Sequence, residues 1–252
     1  MHKAQAVANH VFTRLTPNVE VSTCTLTSVE ASKFRLSLQD DARASLYSGA
    51  HSIAEAIQGL DRRLYSWTTV KLYYSAFYFA RATLALHGVG IIYRGTKAYE
   101  WVANVGQSPS RRKGQTHKVV LDALKHHQKN SILFSQLIGI DDPYTWLMTN
   151  REMVNYTIPR FCEPDPPAHF KFISGREIRQ LIGAYIKDNI HLYTFDPDHA
   201  MLAFPMAALK LLLADFKALS IQGLSRENLI HITSQVSDRN GPIPDFQRLF
   251  TA

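Results

Sequence analysis

A chain of 252 residues accommodates one large domain or a domain with an appended lobe, and its 46% hydrophobic and 11% aromatic content excludes a disordered chain. Two distant cysteines, Cys24 and Cys162, exclude a disulfide framework and a four-cysteine zinc site. A formal charge of +7, from 28 Lys and Arg against 21 Asp and Glu, favours encounter with phosphate-rich partners and does not by itself select one.

The spacing predicts a short helix over Lys3–Leu15, closed by Pro17, with no signal-peptide core in the first twenty residues. Val19–Leu38 is rich in Thr, Ser and Val, and polar and apolar residues alternate through Lys33–Leu38, which predicts strands in a small extended appendage. From Leu46 the period becomes helical, with Ile53, Ala56, Ile57 and Leu60 on one face of a helix ending near Arg62. Leu64–His87 carries apolar and aromatic residues around most of its circumference, the pattern of a central helix, with Gly88 and Gly90 as its terminators. Lys71 and Arg81 exclude it as a membrane span.

Val89–Thr116 reads as loop, with a short strand at Ile91–Tyr93 and a short helix at Lys97–Asn104. Helices are predicted at Lys118–Gln128, Ser131–Leu137, Pro143–Tyr156, Gly175–Asn189, Asp198–Leu219 and Arg226–Val236, with Pro205 kinking the long one. Pro159–Pro167 is the clearest break. The longest apolar stretch, between His199 and Lys210, is shorter than the about 20 residues a bilayer requires, so a cytoplasmic protein without membrane contact is expected. The resulting class is mostly α, with an N-terminal appendage over 1–45, a helical core over 46–160 and a C-terminal helical extension packed on it over 161–252.

Phosphate-cradle, zinc-protease and nucleophile-elbow motifs are missing, and Gly88-Val89-Gly90 lacks the strand and third glycine of a dinucleotide loop. No cofactor is expected. His117 and His127 lie about three turns apart on or beside one helix and the adjacent His126 and His127 point to different faces, which favours a solvated polar face over a metal site. Arg111, Arg112, Lys113 and Lys118 fall within eight residues, beside a helix N-terminus whose backbone donors favour anions. This segment reads equally as a phosphate or RNA contact and as a basic surface loop. Arg151 and Asn155 are one turn apart on a helix, so both can face a cleft.

The aromatic run Trp67–Gly88, followed by Thr116-His117 and then Arg151–Tyr156, resembles the HEPN superfamily of helical bundles. The resemblance covers about Leu46–Tyr156. It implies a bundle that pairs as two copies, and in the ribonuclease relatives an arginine and a histidine that meet across the dimer and cleave RNA without metal, often as toxins or in phage defence. Arg151 occupies the arginine place by resemblance, and Tyr156 stands where the histidine belongs. An imidazole titrating near neutrality exchanges protons with a ribose hydroxyl, whereas a phenol, with a reference pKa of about 10, is a poor base at pH 7.

Two functions therefore stand side by side. One is a homo-oligomeric interaction module that binds RNA, a nucleotide or a partner protein. The other is a metal-independent endoribonuclease in which Arg151 stabilises the phosphorane, Asn155 orients the phosphate and His117 or Tyr156 handles protons. A structural subunit of a larger assembly also fits the aromatic content. The packing alternative for the same residues makes Tyr73, Tyr74, Phe77 and Tyr78 core, Arg151 a buried ion-pair partner of Glu163 or Asp165, and Tyr156 a helix-end plug.

Overall fold

The structure is a computed structural model that describes residues 2–15, 20–238 and 240–250. Pro17, the expected helix stop, and Val19, where the extended segment was expected to begin, lie outside the described residues. The chain is mostly α and divides into two compact units, Met1–Ser45 with Ala80–Lys129, and Leu46–Phe79 with Asn130–Ala252.

The first unit contains α1 (Lys3–Phe12), the beginning of α2 (Ser28–Asp61) and the end of α3 (Tyr65–Leu86). It continues with strands β1 (Val89–Arg94), β2 (Lys97–Val102) and β3 (Ser110–Arg112), then α4 (Thr116–His127). Where alternation predicted strands, the chain is helical from Ser28 onward. The helix begins with a reciprocal cap: the Glu30 carboxylate accepts from the Thr27 N–H at 2.9 Å, and the Thr27 hydroxyl accepts from the Glu30 N–H at 3.3 Å. Burial follows the helical period, since Ala31, Phe34, Leu38 and Ala42 are enclosed while Leu36, which a strand would place beside Phe34 and Leu38, is 62% exposed.

Lys97–Val102 is a strand, not the expected helix. It pairs antiparallel with β1 in a register that sets Arg94 opposite Lys97 across a two-residue turn, and β3 pairs on its other edge. Trp101 explains the choice, because the sheet inserts its fully buried indole against Phe12, stacked at 5.6 Å, and Phe34 at 5.5 Å. Such aromatic pairs contribute about 1 kcal/mol each beyond the area they bury. The two glycines expected to stop α3 divide the work. Gly88 takes the left-handed conformation at φ +79°, whereas a Cβ on Gly90 would lie 2.7 Å from the Phe34 ring. The cationic segment expected as loop is ordered at its start, where Ser110–Arg112 forms β3. The Gln5 amide bonds the backbone of Tyr93 in both directions, which ties α1 to β1.

The second unit contains the remainder of α2 and α3, then α5 (Pro143–Glu152), a π-turn (Met153–Thr157) and α6 (Lys171–Ser174). It closes with α7 (Ile178–Lys187), α8 (Ala200–Ala218), α9 (Arg226–Gln235), a ribbon of β4 (Ser237–Asp238) and β5 (Gly241–Pro242), and α10 (Pro244–Arg248). The segment expected as a helix over Ser131–Leu137 is only a 3-10 turn, Ile132–Phe134. The first ten residues of α8 through Leu209 are buried, Phe204 and Pro205 among them, and Phe204 meets Tyr144 of α5 edge-on at 5.1 Å. Pairing an apolar helix with an aromatic on a neighbour makes α8 the axis of this unit's core. No helix among the described residues is long and apolar enough to cross a membrane.

Candidate functional site

The site begins at the start of α5. Asp142 caps the helix by accepting from the Thr145 N–H at 3.2 Å, and Pro143 at the first helical position requires no donor there. Arg151 is in the last turn. Beyond Glu152 the helix widens into the π-turn, closed by the Ile158 N–H bonding the Met153 carbonyl at 3.1 Å.

The widening decides which side chain meets Arg151. In a regular helix the fifth residue on is rotated by about 140° and the fourth is its neighbour. In an i→i+5 turn the fifth stacks above. The guanidinium therefore meets Tyr156, with Cζ 5.1 Å from the ring centroid and Nη2 donating to the hydroxyl at 3.4 Å. Asn155, which one-turn spacing placed on the same face, is half-buried and makes no side-chain hydrogen bond among the described residues.

Two further tyrosines come from α3. Nη2 of Arg151 also donates to the Tyr74 hydroxyl at 3.1 Å, and Cζ lies 5.5 Å from the Tyr74 ring and 5.7 Å from the Tyr73 ring. The guanidinium thus sits in a collar of three aromatic faces, whose quadrupoles attract a cation. Its Nε is enclosed without a hydrogen-bond partner, and among the described residues it forms no ion pair. Among the described residues nothing accepts from its Nη1. Burial is the largest influence on the Tyr73 phenol and pushes it up, against the opposing Arg151 charge, so Tyr73 stays neutral.

The carboxylate that packing logic assigned to Arg151 is engaged elsewhere. Glu163 accepts from the N–H and the hydroxyl of Ser66, both at 2.8 Å, where a negative charge complements the N-terminus of α3. The Cys162 N–H completes this knot by donating to the Ser66 hydroxyl at 3.0 Å.

Around the collar α3 turns an aromatic stripe outward. Tyr73 and Phe77 are buried, but Trp67, Val70, Lys71, Tyr74 and Tyr78, spaced at helical periods, are at least partly exposed. Trp67 is 50% exposed and packs edge-on against Phe161, itself 53% exposed, at 5.9 Å, and Tyr156 is 70% exposed. The aromatic run is therefore only half core. Its i, i+4, i+7, i+11 members, Trp67, Lys71, Tyr74 and Tyr78, form a surface, and that spacing was the available signal for Tyr74.

The other predicted residues lie in the first unit. His117 is half-buried on the first turn of α4, so the structure groups Arg151 with Tyr156 and assigns His117 to a different unit. Of the four cations near it, Arg112 bonds the buried Glu100 carboxylate at 2.8 Å and Lys118 meets Asp122 at 3.0 Å. Glu100 also holds His127 at 2.9 Å. Arg111 and Lys113 are exposed. Among the described residues no cluster of three His, Cys, Asp or Glu side chains is arranged to hold a metal.

Comparison with protein-family models, with curated proteins and with solved structures gives no match to this chain.

Proposed function

We propose that this chain is a HEPN-like helical module that binds single-stranded RNA or a nucleotide at the Arg151 collar and does not cleave it. The observation that carries the reading is a guanidinium that, among the described residues, has no carboxylate partner and no acceptor for Nη1, with exposed aromatic rings beside it. A phosphate accepts charge-assisted bonds from the Nη1 N–H groups, and an unstacked base covers Tyr156 or Trp67. Turnover needs a proton carrier near neutral pH, and the side chain that the π-turn delivers is a phenol. A second copy is the expected partner for the outward stripe of α3, whose exposed rings gain most by leaving water.

The test is incubation of the purified chain with end-labelled RNA in EDTA, read on native and denaturing gels. A salt-sensitive mobility shift with intact RNA, lost in Arg151→Ala, supports the proposal. Cleavage that disappears in the same variant identifies a metal-independent endoribonuclease and removes the binding-only reading.

A further inference from the structure

The second unit contains a trough of about 630 Å³ between α8 and α10. This lies within the roughly 300–1,000 Å³ of small-molecule sites. Its floor is Ile186, Leu213, Ile221, Leu224, Leu249 and Phe250, all half-buried. Side chains left half in water expose apolar area that a run of methylenes would cover, and that burial is favourable in proportion to area.

Charge decides which apolar ligand fits. Among the described residues every charged side chain on the lining is a cation: Lys210, Lys217 and Arg248. Arg248 is already held by Asp245 at 2.7 Å, and Lys217 has interactions of its own. Lys210 differs. Its Nζ donates to the Asp188 carbonyl at 2.7 Å and the Asn189 amide oxygen at 3.3 Å, and it forms no ion pair among the described residues. An ammonium has three donors, so one remains for a ligand. Burial is the largest influence on this group and draws its pKa below the ordinary value, with Asp188 opposing. The cation is therefore incompletely solvated, and a carboxylate placed beside it would restore what water no longer supplies. Lys210, Leu213 and Lys217 share one face of α8 at i, i+3 and i+7, which sets the charge and the apolar floor side by side.

We infer that the trough binds a single-chain anionic amphiphile, an alkyl carboxylate, with its chain along the Leu213–Phe250 floor and its headgroup on Lys210. A neutral chain of equal length would cover the floor and leave the ammonium without a counter-ion. A cationic one would meet three like charges.

Titration calorimetry of the full chain below micellar concentration tests this with decanoate, decanol and decyltrimethylammonium. Decanoate is expected to bind about tenfold more tightly than decanol, the size of one charge-assisted hydrogen bond, and decyltrimethylammonium to give no saturable heat. Lys210→Gln should abolish the preference for decanoate over decanol. Leu213→Glu should abolish binding of both, with its circular dichroism spectrum unchanged. Should Leu213→Glu fail to fold, the Lys210→Gln comparison decides alone. Equal affinity for decanoate and decanol, or unaltered decanoate affinity in Lys210→Gln, overturns the inference. So does binding of an acidic amphipathic peptide by a chain that ignores decanoate.

Discussion

Arg151→Ala separates a binding residue from a structural one. The substitution removes the bond to Tyr74 at 3.1 Å, the longer one to Tyr156 and three ring contacts, while it also deletes an enclosed Nε that has no partner. A hydrogen bond from a charged donor contributes about 2 kcal/mol, and a half-exposed cation–π contact about 1 kcal/mol. Relief of one unsatisfied buried donor returns about 1–2 kcal/mol. The Tyr74 ring contact belongs to the same pair as its bond, and Tyr156 is 70% exposed, so one bond to Tyr74 and the enclosed ring contact with Tyr73 carry the sum; the difference is a destabilisation of about 1–2 kcal/mol, small for a domain of this size. The guanidinium is therefore poorly employed by the fold. Loss of a charge-assisted phosphate contact, in contrast, should lower RNA affinity by about 2–3 kcal/mol, or roughly 30- to 150-fold. Urea unfolding and fluorescence anisotropy with a labelled RNA, run on the same preparation, read both quantities. A loss of stability above about 4 kcal/mol, with affinity unchanged in the folded fraction, would refute the reasoning and return Arg151 to the interior.

Other residues give separate tests. Tyr156→Phe should retain most RNA affinity because the ring remains, whereas Tyr156→Ala should lose about 1–3 kcal/mol of stacking, read by the same anisotropy titration. His169 is buried and bonds Thr69 at 2.8 Å, and burial lowers its pKa to about 4. Thr69 already donates to the Tyr65 carbonyl, so His169 Nε2 carries the proton and Nδ1 is the enclosed, unpartnered acceptor. The unfolded chain binds the proton first, near 6.5, so this contribution is full above that pH and is lost as pH falls toward 4. The loss approaches about 3 kcal/mol, and unfolding free energies measured from pH 7 to pH 4 should fall less steeply in His169→Gln. Glu30→Ala should cost about 1 kcal/mol by opening the cap of α2, visible as a lower urea midpoint with an unchanged slope. Glu100→Gln should cost about 1–3 kcal/mol, because Arg112 and His127 lose a buried shared acceptor charge, and thermal unfolding would register it.

The long apolar helices were legible because their periodicity is set by burial alone: α3 and α8 fall within a few residues of the boundaries that spacing gave. The start of α2 was misread because Lys33–Leu38 satisfies two periods at once. Phe34 and Leu38 fit both a strand face and one helical turn, and only the position of Leu36 distinguishes them. The Thr27–Glu30 spacing was the local clue, a capping box written in four residues. Lys97–Val102 could not be assigned from its own residues, since Trp101 selects the strand through Phe12 and Phe34, far away in sequence. At the site, the sequence pointed to Arg151 and Tyr156 but paired the arginine with Asn155. A π-turn has no sequence signature comparable to a cap, and one inserted residue per turn changes which neighbour stacks. The basic segment looked uniform on the page, while the structure divides it, because Glu100 and Asp122 take up two of its four charges.

The Arg151 guanidinium can be observed directly. Arginine Nε–Hε resonances of the full chain, labelled with nitrogen-15 and assigned for this residue by comparison with Arg151→Lys, can be followed while a single-stranded RNA oligomer is added in EDTA. A binding Arg151 gives a saturable shift of its resonance that follows the same isotherm as the anisotropy change. An Arg151 resonance that stays in place while those of surface arginines such as Arg111 move would contradict it.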